Sequence, residues 1–149
     1  MSARAVSLAA FCLAAAFATQ AAEREFRPVT DAMLRNPDPA DWLMWRRTFD
    51  AWGYSPLDRI NRGNVANLKL AWSIDLDAAP SQEGTPLVHD GVMYFPNPSD
   101  HTLALDAATG KLLWEHRRAL PEDLGKFVPF PQTNRNLAIY DRQIGRAHV

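Results

Sequence analysis

The chain of 149 residues holds a single cysteine, Cys12, and that one lies in an apolar N-terminal leader. With the leader removed, no thiol remains for a disulfide or a thiolate metal site. Net charge is also nearly absent. The 16 Lys and Arg against 17 Asp and Glu leave −1, which gives no case for a nucleic-acid or membrane-surface partner. No membrane span is expected, since the apolar run at 6–18 falls short of the ~18 residues a spanning helix needs. There is no phosphate-binding glycine loop, no dinucleotide glycine fingerprint and no nucleophile elbow. His89, His101 and His116 lack metal-ligand spacing and read as turn or edge residues.

What is present begins with a targeting signal. Arg4, the apolar run and the small residues Thr19-Gln20-Ala21-Ala22 have the layout of a secretory signal peptide over 1–22, cut after Ala21 or Ala22. An uncleaved anchor is the alternative. Residues 23–63 are expected to form an N-terminal arm, with 23–41 running over the surface. It would carry a short helix capped by Thr30 or Asp31, and a helical turn or two within 41–49 holding Trp42 and Trp45. Gly53 and Pro56 end that pattern.

From Asn64 the pattern is β. Strands are expected at 68–74, 85–88, 92–95, 102–105 and 111–114. They are separated by turns at Asp90-Gly91, at Asn97-Pro98-Ser99-Asp100 and at Thr109-Gly110. Five Trp and eleven Pro suit a turn-rich β protein with large side chains wedged between sheets. Lys69-Leu70-Ala71-Trp72 returns as Lys111-Leu112-Leu113-Trp114, a period of 42 residues. Propeller blades repeat at about 40–45 residues, and each blade buries its faces only by stacking on neighbours. A further repeat opens at Asn136-Leu137-Ala138-Ile139-Tyr140, so 64–143 reads as the first part of a β-propeller. Residues 144–149 read as a non-native tail, because a common sequencing-adapter string would encode them. His148 is given no functional weight.

The most specific segment runs from Ala104 through Asp106, Thr109, Gly110 and Lys111 to Trp114. Asp106 and Thr109 can bond the backbone of the turn between them. Gly110 permits a left-handed backbone, and Trp114 offers a flat face with an N–H in need of an acceptor. The segment resembles the tryptophan docking motif of quinoprotein dehydrogenases that use pyrroloquinoline quinone (PQQ). Trp52-Gly53-Tyr54-Ser55-Pro56-Leu57, then 68–72, 82–94, 120–123 and 133–135, resemble the opening of the methanol and ethanol dehydrogenase family.

That resemblance implies an all-β, eight-bladed propeller with PQQ on its axis, present here as about one blade plus partial neighbouring strands. It implies a periplasmic enzyme oxidising primary alcohols to aldehydes, with a Ca²⁺ or lanthanide ion as Lewis acid, an aspartate base and a c-type cytochrome as electron acceptor. The base and the metal ligands are expected outside this chain. The strand near Trp72 would pair with the last blade. Two residues carry over as cofactor contacts, Glu83 and Arg135. A guanidinium offers planar, charge-assisted hydrogen bonds to the carboxylates and quinone oxygens of such a ligand. One departure stands out: where many relatives have adjacent cysteines, this chain has Val128-Pro129-Phe130-Pro131, either an apolar lid or a different way of holding the cofactor. The competing classes are a non-catalytic tryptophan-motif scaffold of the cell envelope, which binds protein partners, and a sugar-dehydrogenase-like quinoprotein.

Overall fold

The computed structural model describes residues 25–76, 83–98, 100–127 and 135–145. The leader, the Val128-to-Pro131 stretch and the end of the tail lie outside the described residues.

The four expected central strands form as one antiparallel meander. They are β1 (Leu87–His89), β2 (Val92–Asn97), β3 (His101–Asp106) and β4 (Leu112–Arg117), paired in the order β1-β2-β3-β4. Asp90 and Gly91 both take positive φ, 51° and 75°, which matches the twist of the two-residue hairpin joining β1 to β2. Alternation then decides which side chains go inward. Leu87 and His89 on β1 and Val92 and Tyr94 on β2 are buried, and β4 is exposed along its whole length. The strand expected to open the next repeat is β5 (Ala138–Tyr140). It pairs with β6 (Gln143–Gly145), setting Ile139 opposite Ile144.

The core lies between these pieces. Leu87, Val92, Tyr94 and Ala104 from the blade meet Val29 and Leu43 from the arm, and Leu137 and Ile139 from the second repeat. Each fully buried large aliphatic side chain contributes about 1.5–3 kcal/mol. Most of the described arm is exposed, but Val29, Asp41 and Leu43 are buried and anchor it to the core. Its short helix α1 (Asp31–Arg35) forms as expected, with the Thr30 hydroxyl accepting from Met33 N–H at 3.4 Å.

Two expected elements do not form. Within 41–49 there is no helix. Trp42 is extended and bonds Val88 in both directions, at 2.7 and 2.9 Å. Arg46 and Arg47 then take φ of 61° and 72°, which no right-handed helix contains. The Arg47 guanidinium turns back to the carbonyls of Pro37 and Asp38 at 3.2 and 3.3 Å, and this closes the loop instead. Residues 68–74 run without a ladder, and Leu70 is 84% exposed. A strand persists only where its N–H and C=O groups meet a partner, and among the described residues no strand lies beside this one.

Candidate functional site

Two loops meet where the blade and the second repeat begin. Glu83 lies four residues before β1 and Arg135 three residues before β5. Thr85 N–H donates to the Arg135 carbonyl at 2.9 Å, which laces the loops together. Gly84 makes the approach possible. A Cβ there would stand 2.3 Å from the Pro96 carbonyl oxygen, so only glycine lets this loop lie against the end of β2. Arg135 Nε then donates to Glu83 Oε2 at 2.5 Å, joining residues 52 apart. The side chains are 68% and 44% exposed, so the pair faces outward from the loops and the guanidinium's remaining N–H edge is open to an anionic ligand. A delocalised cation, held in plane by a carboxylate, can bind a planar polyanion through directed hydrogen bonds.

The docking turn also forms as its sequence implies. Asp106 Oδ1 accepts from Ala108 N–H, Thr109 N–H and the Thr109 hydroxyl at 3.2, 3.0 and 2.9 Å. Gly110 sits at φ 72°. The indole seated on this turn belongs to Trp72, one repeat earlier, and its Nε1–H donates to the Ala107 carbonyl at 3.2 Å. Trp114 instead lies tilted beside Tyr94, with ring centroids 5.9 Å apart.

The histidine expectation needs correction. His89 lies on the edge strand β1 as expected, whereas His101 opens the inner strand β3; both are buried and partnered. His89 Nδ1 lies 3.1 Å from Asp41 Oδ2 and its Nε2 lies 2.8 Å from the Arg27 carbonyl. His101 Nε2 lies 3.1 Å from Glu115 Oε2. A signal was available: His89 shares the parity of Leu87, so period-two alternation sends both to the buried face. His116 stays exposed on β4. Arg118, with its side chain 55% exposed, pairs with Asp100 at 3.5 Å.

A cavity of about 790 Å³ opens elsewhere, between the arm and β4, with Phe26, Tyr94, Lys111 and Trp114 among its walls. Neither Glu83 nor Arg135 lines it. Burial, with the Asp90 carboxylate nearby, pushes the Tyr94 phenol up to about 12. Among the described residues no three His, Cys, Asp or Glu side chains gather as a metal site.

The family described as "PQQ: Glucose/ethanol/alcohol dehydrogenase, beta-propeller domain" matches residues 42–146. The dehydrogenase subunit of a quinone-dependent alcohol dehydrogenase from Komagataeibacter europaeus is 41% identical over 89% of this chain and 18% of its own length. A 1-butanol dehydrogenase (cytochrome c) from Thauera butanivorans is 38% identical over 61% of this chain and 13% of its own. The structure of quinohemoprotein alcohol dehydrogenase ADHIIG from Pseudomonas putida HK5 superposes with a TM-score of 0.73 at 34% identity, covering 78% of this chain and 17% of that one. The chain thus spans less than a fifth of the length of each of these proteins.

Proposed function

The chain belongs to the β-propeller family of PQQ-dependent glucose, ethanol and alcohol dehydrogenases, and from that premise we propose that it opens a periplasmic enzyme whose cofactor is contacted here by Glu83 and Arg135. The whole protein oxidises primary alcohols to aldehydes and passes electrons to a c-type cytochrome. Its metal is Ca²⁺ or a lanthanide, held together with the catalytic base by residues outside this chain. The leader over 1–22 directs export. The observation that carries the reading is the Glu83–Arg135 pair, an exposed guanidinium oriented by a carboxylate where two repeats begin.

When bound, PQQ supplies an electron-poor ortho-quinone that takes the hydride from the alcohol carbon. The residues of this chain bind and orient. The N–H edge of Arg135 left open by Glu83 donates to ligand carboxylate or quinone oxygens. Glu83 holds the guanidinium plane and offsets its charge before the ligand arrives. Gly84 and the Thr85–Arg135 backbone bond keep both loops in place. The relatives named above are alcohol dehydrogenases, which favours this reading over a peptide-binding scaffold or a sugar dehydrogenase.

The test uses the full-length protein freed of cofactor. PQQ is titrated in, and dye reduction is followed with a panel of alcohols. Glu83→Gln and Arg135→Ala are each expected to weaken PQQ binding about tenfold or more, the usual loss for a charged hydrogen bond. A wild-type protein that neither binds PQQ nor reduces the dye would sink the proposal.

A further inference from the structure

The arm touches both halves of the candidate site's framework. At one end Asp41 lies under the β1–β2 hairpin. Its Oδ1 accepts Asp90 N–H at 2.9 Å and its Oδ2 lies 3.1 Å from His89 Nδ1, with Arg27 Nη2 at 3.5 Å. Asp41 and His89 are 3% and 1% exposed, so water does not compete for these bonds. The next residue, Trp42, pairs with Val88 as an added strand position beside β1. At the other end Val29 bonds Asp141 in both directions, at 2.8 Å each, just past β5. The Asp31 carboxylate lies near enough to raise the Tyr140 phenol. His89 also reaches the Arg27 carbonyl, two residues from Val29, so one imidazole ties both ends of the arm to the hairpin.

The two strands held in this way are those that lead out of the Glu83 and Arg135 loops. We infer that Asp41 and His89 are positioning residues for the Glu83–Arg135 pair, acting through the arm that clamps β1 and β5 at a fixed separation. This assignment rests on the cofactor reading for its consequence but not for its geometry. A buried carboxylate bonded to an imidazole, a guanidinium and a backbone amide has little freedom. Loosening it weakens the hold of the arm on β1, and the Thr85–Arg135 backbone bond and the Glu83–Arg135 ion pair then carry more of the spacing between the loops.

The experiment compares full-length wild type with Asp41→Asn, Glu83→Gln and the double variant, using PQQ itself as the probe. Asp41→Asn keeps an acceptor for Asp90 N–H but turns an amide toward His89 or Arg27. It is expected to remain folded by circular dichroism and to weaken PQQ binding about tenfold, as outer-shell orienting residues do. The double variant should bind within about twofold of Glu83→Gln alone, because both changes act through one pair. A crystal structure of Asp41→Asn should show the Glu83–Arg135 contact broken. A folded Asp41→Asn protein with that contact intact and PQQ affinity near wild type would overturn the inference, and so would losses that multiply in the double variant. If Glu83→Gln alone binds PQQ like wild type, the cofactor reading fails and the crystal structure alone decides the positioning role. Should Asp41→Asn fail to fold, His89→Gln, whose one amide nitrogen cannot stand in for both ring nitrogens, takes its place in each comparison.

Discussion

Trp72 lies over Gly110 so closely that a Cβ on the glycine would stand 2.5 Å from the indole ring. The same indole donates to the Ala107 carbonyl. The first Trp of the 42-residue repeat thus docks on the turn that precedes the second Trp. This contact anchors the otherwise unpaired stretch around 68–74 to the blade.

Gly110→Ala should therefore be costly for two separate reasons. The added methyl meets a ring that cannot leave without losing its hydrogen bond, and φ of 72° strains any residue with a Cβ. Together these cost about 2–4 kcal/mol. Trp72→Phe keeps most of the ring contact and loses the indole bond, for about 1 kcal/mol. Denaturant unfolding of the full-length protein checks the order. Equal losses for the two variants would mean that the indole bond, not the close approach, dominates.

Gly84→Ala separates loop placement from charge. The new Cβ would meet the Pro96 carbonyl, which is backbone and cannot swing aside. The Glu83 loop must lift, while both charged side chains remain. PQQ affinity is expected to fall about tenfold, close to the effect of Glu83→Gln, if spacing matters as much as charge. Titration of the cofactor-free full-length variant measures it. Unchanged affinity would show that this loop does not set the pair.

The blade was legible because its signals were local. Asp90-Gly91 fixed one turn, Asp106 to Gly110 fixed another, and the strands between them followed. Glu83 and Arg135 were reached through resemblance, and chain order alone gave no sign that they touch. What stayed hidden was settled by distant partners. The 41–49 segment has helix-compatible residues, yet Trp42 pairs with Val88 and Arg47 folds back onto Pro37. The arm looks like a polar surface strap, yet its Asp41 is the buried partner of His89, 48 residues away. Residues 68–74 have strand composition without a strand to pair with.

That unpaired stretch predicts the behaviour of the 149-residue chain expressed alone. Leu68 and Leu70 are 59% and 84% exposed, and β4 offers an open edge carrying Leu112, Leu113 and Trp114. Open hydrophobic edges recruit other chains. Light scattering should find dimers or larger species at micromolar concentration, reduced by Leu70→Lys. A monomer with a sharp cooperative melting transition would contradict this.

Tyr94 gives a pH dependence whose direction follows from its burial. Its phenol is pushed up to about 12, above the ordinary value of 10.0, chiefly by desolvation and further by Asp90. Below pH 10 the phenol is neutral in both folded and unfolded chains, and its contribution to stability is fully present. Between pH 10 and 12 only the unfolded chain releases the proton, so the folded state loses about 2–3 kcal/mol relative to it. Above the folded-state value the loss levels off. Tyr94→Phe has no proton to release. The stability difference between wild type and this variant should stay constant up to pH 10 and then shift against wild type by that amount as pH nears 12. Denaturant unfolding of both full-length proteins across that range is the measurement, and parallel curves would mean that the phenol reaches water in the folded state.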